Sequence, residues 1–325
     1  MAGLNKDDPL RILLAGIIDY AGLFPPAGLA MDKTVANFAE YKRWPESWML
    51  GRLVVPASRL QEFPEALAAT NNSSKQWQIS ALVPGCMPDA AAQSQAVRSL
   101  VDFNSTQNGP AVVDAIECKA DSVDSLRKSL DVMPAGIRVF WELPLNDQLE
   151  PLIQALAGLK KGSNGSAAST EPGLNCAKIR TGGVQPEMIP SLGEVARFIH
   201  LCATNRVTLK ATAGLHHPVR SEQALTYTPD SQRAVLHGFL NVFLAATAAW
   251  SRKAGIAEIE DVLLAGHQES FILKSNELGV GEFEFTGDEL ARTRREFAIS
   301  FGSCSFAEPI DDLQNMDWLP VSARS

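Results

Sequence analysis

Short apolar runs alternate with longer amphipathic segments along the first two thirds of the chain. The apolar runs end in polar residues or glycine and predict strands over 51–56, 77–83, 111–118, 137–143, 175–181 and 206–213. The segments between them have helical spacing of apolar residues, and the predicted helices cover 31–43, 58–69, 89–103, 122–130, 147–159 and 188–203. Strands that alternate with helices in this way are typical of a parallel sheet with right-handed crossovers.

The two ends of the chain decide between an open sheet and a barrel. The apolar run from Arg11 to Tyr20 fits helix or strand up to Ile18, and counting it as a strand gives seven. The rhythm breaks over 220–295, where three helices are predicted over 236–250, 256–265 and 286–297, and 298–306 fits an eighth strand.

We therefore predict an α/β fold, a (β/α)8 TIM-type barrel. It forms one domain over 1–325, with a helical insertion at about 220–295, before the last strand. An open doubly wound sheet is the alternative, but no glycine-rich dinucleotide fingerprint follows the first strand.

Composition and charge limit the kinds of partner. Apolar residues make up 46% of the 325 residues and charged residues 20%, and the net charge of −8 argues against binding nucleic acid or an anionic membrane. The run Leu10–Ile18 is too short to span a bilayer. The stretch 160–173 is of low complexity, and we expect a mobile loop without a chemical role. We expect a small-molecule substrate, and the sequence leaves a homo-oligomer open.

The five cysteines include no C-x-x-C pair, which indicates a reducing compartment and a cytoplasmic protein. Cys118, Cys176 and Cys304 fall in predicted strands. A small buried core residue is the expectation at each of these positions.

Two lysines carry the clearest chemical signal. Lys178 and Lys210 each lie in an apolar run that ends in glycine, and 210 − 178 = 32 residues is about one strand–helix repeat. Both then lie near the C-terminal ends of neighbouring strands, where like charges would depress one pKa and make a neutral amine that attacks carbonyls. The alternative is two structural ion pairs with Asp114, Glu117 or Glu142.

Four runs resemble motifs of deoxyribose-phosphate aldolase and related class I aldolase barrels. The run K-I-R-T-G at 178–182 is similar to the family's K-T-S-T-G, and L-K-A-T-A-G-L at 209–215 is similar to V-K-A-x-G-G-I. The run V-D-A-I-E at 113–117 resembles V-D-M-V-I-N, and I-D-Y-A-G-L at 18–23 is a loose match to I-D-H-T-x-L. The resemblance covers about residues 17–215, in the right order.

This resemblance implies a Schiff-base lyase that needs no cofactor. Lys178 would attack a small carbonyl or sugar-phosphate-like substrate, Lys210 would lower its pKa, and Asp114 would relay protons through a water. The chain departs from the family after the second lysine, where His216-His217 replaces the family's arginine-containing run. Residues expected around the substrate are Asp19, Glu142, Arg180, Gly182, Thr212, His216, His217, Gly302 and Ser303.

Two other functions remain open on the sequence. A metal-dependent barrel hydrolase would use His216 or His217 together with Asp19, Asp114 or Glu142, although neither H-x-H nor H-E-x-x-H spacing is present. A barrel that binds a sugar or phosphate without catalysis is equally compatible with the fold.

Overall fold

Eight parallel strands form a closed barrel, which confirms the predicted fold class. The computed structural model describes residues 4–70, 76–106, 109–159 and 174–322, so the predicted loop over 160–173 lies outside the described residues. The barrel strands are β1 Ile18–Tyr20, β2 Leu50–Pro56, β3 Trp77–Val83, β4 Ala111–Lys119, β5 Arg138–Glu142, β6 Asn175–Arg180, β7 Leu209–Thr212 and β13 Ala298–Ser303. They follow one another around the barrel in chain order, and β13 closes it between β7 and β1.

Amphipathic helices surround the barrel. Helix α7 shows why: Ser191 and Glu194 form a reciprocal capping box at its start, and Val195, Phe198 and Ile199 place one apolar face against the strands. The described α-helices are α1 Pro9–Leu14, α2 Met31–Tyr41, α3 Phe63–Ala68, α4 Ala90–Thr106, α5 Val123–Leu130, α6 Leu149–Leu159, α7 Leu192–Thr204, α8 Phe239–Thr247, α9 Ile256–Leu264, α10 Gly287–Glu296 and α11 Ala307–Asn315.

The region between β7 and β13 is richer in strands than predicted. It holds helices α8, α9 and α10, but also a hairpin of β8 Ser221–Ala224 with β9 Arg233–Leu236. A three-stranded antiparallel sheet follows α9, formed by β10 Phe271–Leu273, β11 Glu277–Val280 and β12 Phe283–Thr286. Strands of three or four residues are too short to give a clear apolar period, and for that reason the sequence predicted only the helices.

Side chains alternate along the strands between an outer core and the barrel interior. Outward residues such as Leu53 and Val55 join the large core under the helices, while Ala115, Phe140 and Cys176 form a separate apolar cluster. The inward positions that follow this cluster toward the C-terminal strand ends are charged.

An irregular pairing in β4 changes which residues face inward. Ile79 pairs with Val113 and Ser80 with Ala115, so Asp114 has no partner residue on β3. Such a bulge places two consecutive residues on the same side of the strand. The barrel therefore receives both Asp114 and Glu117 from one strand.

No helix within the described residues has the length and apolar character needed to cross a bilayer.

Candidate functional site

A cavity of about 960 Å³ lies at the C-terminal ends of the barrel strands. Its wall includes Glu117, Glu142, Lys178 and Arg180 from three neighbouring strands, and Thr212 from the next. Loops that follow β1 and β7 complete the wall. This is the end at which parallel barrels place their active sites, because the loops and the strand ends converge there.

Lys178 lies between two carboxylates. Its Nζ is 2.7 Å from Oε2 of Glu117 and 2.9 Å from Oε2 of Glu142. Burial alone would lower the pKa of Lys178, but the charges and hydrogen bonds of the two carboxylates raise it above its ordinary value of 10.5. The direction is the opposite of the depressed pKa that the sequence suggested for a lysine pair.

Lys210 lies beside Lys178 on the next strand, at the same register position, and its side chain is fully buried. Its Nζ is 2.5 Å from Oδ2 of Asp19 and 2.6 Å from Oε1 of Glu117. Glu117 thus separates the two ammonium groups and contacts both. Burial would raise the pKa of Glu117, but the two lysine charges hold it well below its ordinary value of 4.5.

Two hydroxyl groups donate to the carboxylate oxygens that contact Lys210. Ser80 Oγ donates to Glu117 Oε1 at 2.9 Å, and Ser300 Oγ donates to Asp19 Oδ2 at 2.7 Å. The backbone N–H of Arg52 donates to the other oxygen of Asp19. Buried charges are stable only when such partners are present, so the network is held in one arrangement.

Asp114 lies on β4, as the resemblance implied, but it is paired with Arg52. Its two oxygens accept hydrogen bonds from Nε and Nη2 of Arg52, at 2.7 and 2.8 Å. The hydrogen bonds and ion pairs of the described residues connect it to neither lysine. The strand-four carboxylate beside both lysines is Glu117, three residues later, which the sequence offered only as an ion-pair partner.

Several residues expected around the substrate lie at the cavity, and others have a backbone role. Arg180 and Gly302 line the cavity, and Arg180 Nε donates to the carbonyl of Gly182 at 3.1 Å. A Cβ at Gly182 would come within 2.9 Å of the Cα of Gly214, so the loops after β6 and β7 pack backbone against backbone. Ser303 is buried, and its Oγ accepts from the N–H of Ser305.

The two histidines contact separate carboxylates on helix α11. His216 Nδ1 is 2.6 Å from Glu308 Oε2, and His217 Nδ1 is 2.5 Å from Asp312 Oδ2. The carboxylates that the metal hypothesis named lie elsewhere, in the lysine network or at Arg52. Within the described part of the chain, no three His, Cys, Asp or Glu side chains come together in a way that could hold a metal ion.

A cysteine directly after β13 completes this second polar group. Cys304 Sγ is 3.7 Å from His216 Nε2 and 3.6 Å from the hydroxyl of Tyr227, which donates to Glu308 Oε2 at 3.1 Å. Burial would lower the pKa of His216, but hydrogen bonds and charges of Cys304 and Glu308 raise it to about 10. The sequence placed Cys304 in the core. The predicted neighbouring of β7 and the last strand could have indicated the contact between His216 and Cys304, because the pairing of β7 with β13 brings their C-terminal ends together.

Neither models of known protein families nor curated proteins give a match to this chain.

Proposed function

We propose that the protein is a Schiff-base-forming lyase of the class I aldolase type. The observation that carries the proposal is the position of Lys178, a buried amine that lines the cavity while two carboxylates flank it and a second lysine lies behind it. Lys210 is fully buried and is held by Asp19 and Glu117, so it is not the amine that meets substrate.

Imine formation needs Lys178 without its extra proton and a proton donor for the hydroxyl group that leaves. An ammonium group is not nucleophilic, so Lys178 reacts through the fraction that has lost its proton to solvent. The neutral amine adds to the carbonyl carbon, and the resulting carbinolamine loses water as a proton returns to the departing hydroxyl. The protonated imine then withdraws electrons from the bond between the α and β carbons. As this bond breaks, a carboxylate takes the proton of the β-hydroxyl group, which becomes the carbonyl of the first product. The enamine left on Lys178 takes up that proton at carbon, and water hydrolyses the imine to release the second product. The same chemistry in reverse forms the bond.

Glu142 is the carboxylate best placed to exchange protons with substrate. Its side chain is 21% exposed at the cavity, whereas that of Glu117 is 3% exposed and contacts both lysines. Glu117 therefore acts chiefly as a fixed negative charge that balances Lys178 and Lys210. Proton exchange with the reacting carbon is assigned to Glu142 for this reason.

The charges around the cavity favour an anionic substrate. Lys119 and Arg180 both line it from strands that flank Glu142. Their positive charges suit a phosphate or carboxylate group carried by the carbonyl compound. This supports a sugar-phosphate-like substrate.

Borohydride trapping tests the proposal. The protein is incubated with small aldehydes, ketones and sugar phosphates, reduced, and analysed by intact-mass and peptide mass spectrometry. We expect an adduct on Lys178 that is lost in Lys178→Arg, which keeps the positive charge between the carboxylates. Lys119→Arg is the matched control, because Lys119 also lines the cavity but is 60% exposed, and it should keep the adduct.

Two outcomes would contradict the lyase. One is the absence of an adduct on Lys178 across the panel in folded protein. The other is trapping that persists at the same yield in Lys178→Arg. Tight binding of a sugar phosphate, measured by calorimetry without any adduct, would favour the non-catalytic binding barrel.

A further inference from the structure

Cys304, His216 and Glu308 form a linear series across one side of the cavity. The imidazole has Nε2 at 3.7 Å from the thiol sulfur and Nδ1 at 2.6 Å from the carboxylate. All three side chains line the cavity. A nucleophile, a base within reach and a third group that orients the base are the parts of a catalytic triad, which is recognised by geometry and not by chain order.

The orienting group is itself held in place. Tyr227 donates its hydroxyl hydrogen to Glu308 Oε2, the same oxygen that faces His216 Nδ1. The hydroxyl also lies 3.6 Å from Cys304 Sγ, so the phenol bridges the first and last members of the series. Glu308 is therefore the carboxylate that faces His216. The ring of His217 lies nearby, tilted by 44° with the ring centroids 6.4 Å apart, but pairs with Asp312.

Another cysteine at the same cavity shows what a structural thiol looks like in this protein. Cys118 Sγ contacts the side-chain amide of Gln93 and the backbone oxygens of Pro84 and Lys119. Burial raises the pKa of this thiol to about 12. The sulfur of Cys304 instead faces an imidazole that is oriented by a carboxylate, so a group that can accept the thiol proton lies beside it.

We infer that Cys304 is a nucleophile that accepts an acyl group from a small ester or thioester bound in the cavity, with His216 as its acid–base partner and Glu308 as the group that orients His216. This activity goes beyond the imine chemistry proposed for Lys178 and does not depend on it.

The step balances without any further co-reactant except water. The thiolate of Cys304 attacks the acyl carbon, the bond to the leaving alcohol or thiol breaks, and the imidazolium of His216 gives its proton to that leaving group. A thioester on Cys304 remains. His216 then takes a proton from water as the water attacks the thioester, which releases the carboxylic acid and restores the thiolate–imidazolium pair.

Two measurements on the full-length protein test the inference. The first is the rate of alkylation by iodoacetamide at each cysteine, followed by peptide mass spectrometry at constant pH. We expect Cys304 to be alkylated at least about tenfold faster in the wild type than in His216→Gln, because the imidazole is the group that can accept its proton. In Glu308→Gln the rate at Cys304 should also fall.

The second measurement uses p-nitrophenyl acetate as an acyl donor. We expect a burst of nitrophenolate equal to the protein concentration and an acetyl group on Cys304, both lost in Cys304→Ala. Cys118→Ala is the matched control, since Cys118 borders the same cavity but has no imidazole partner, and its burst should equal that of the wild type.

The inference is overturned if the alkylation rate at Cys304 is the same in the wild type and in the His216 and Glu308 variants. It is equally overturned if the burst is absent, or if it survives in Cys304→Ala. Glu308→Gln keeps the shape of the site, so its alkylation rate at Cys304 is decisive even if His216→Gln fails to fold.

Discussion

Replacing Glu142 by glutamine should make Lys178 a faster nucleophile. The change removes a negative charge 2.9 Å from Nζ and leaves a side chain of nearly the same shape. Glu117 still contacts the amine at 2.7 Å, so Lys178 keeps one ionic partner. Because Glu142 is one of the two charges that raise the pKa of Lys178, its loss must lower that pKa and increase the neutral fraction at any pH below it.

The size of the effect follows from the distance and the exposure. An opposite charge in direct contact shifts a pKa by about 1–3 units. Glu142 is 21% exposed and partly screened, which favours the lower part of that range. A shift of about 1–2 units corresponds to about 1.4–2.7 kcal/mol and to a neutral-amine population larger by about 10–100-fold near pH 8.

The assay is the initial rate of borohydride-trapped adduct with a simple aldehyde at constant pH. The wild-type rate should rise about tenfold for each pH unit from 7 to 10, because the pKa of Lys178 lies above 10.5. Glu142→Gln should be about 10–100-fold faster at pH 8. Asp121→Asn is the matched control, since it removes the carboxylate 3.2 Å from the exposed Lys119 and should leave the rate at Lys178 unchanged.

A rate in Glu142→Gln that equals or falls below the wild-type rate would refute the electrostatic reasoning. Turnover of a true substrate should move in the other direction. Glutamine cannot exchange protons, so Glu142→Gln should lower turnover even while it speeds up simple imine formation. The two readouts together separate the charge of Glu142 from its acid–base role.

Three further predictions concern stability, each measured by urea unfolding. Lys210→Met should lower the free energy of unfolding by about 3–5 kcal/mol, because it leaves Asp19 buried without its cation and Glu117 with Lys178 alone. The exposed Lys274→Met should have little effect, and equal losses would contradict this. The wild type should lose stability as pH falls below 4.5. The pKa of Glu117 is lower in the folded than in the unfolded chain, so the stability that its charge contributes is complete above the unfolded pKa and is lost as pH falls through the folded pKa. Glu117→Gln should lose less stability over this range, and an unchanged dependence of stability on pH would contradict this. The contribution of His216 to the free energy of unfolding, about 1.5–3 kcal/mol, should be complete below pH 6.5 and disappear as pH rises through about 10, because its pKa is raised in the folded chain. His216→Gln should show a flatter dependence of stability on pH over this range. Identical dependences in the wild type and the variant would contradict the ion pair of His216 with Glu308.

The barrel could be predicted because each of its strands carries its own signal. Strands such as Trp77–Val83 are short, mostly apolar runs, and the helices between them show a clear period. The hairpin and the small sheet between β7 and β13 were missed, since strands of three or four residues with exposed positions are held by pairing and not by an apolar pattern of their own.

Part of the site could also be predicted from the strand pattern. Lys178 and Lys210 are one strand–helix repeat apart, and equal spacing in a parallel sheet predicts neighbouring positions. The choice of Glu117 over Asp114 depends on the bulge in β4, which shifts the inward positions and has no local sequence signal. The contact between His216 and Glu308 joins residues 92 positions apart, on either side of the insertion between β7 and β13, and no local sequence pattern predicts it.

The charged interior also has a consequence for how the chain folds. Every strand of the barrel contributes a polar side chain to the interior: Asp19, Arg52, Ser80, Asp114 and Glu117, Glu142, Lys178, Lys210, and Ser300. The bonds of Asp19 to Lys210 and to Ser300 span 191 and 281 residues, so they form only when the last strand closes the ring. A partial barrel would leave ions without partners in an apolar interior. Closure should therefore be strongly cooperative, and half-barrel fragments of this chain should not persist as folded intermediates.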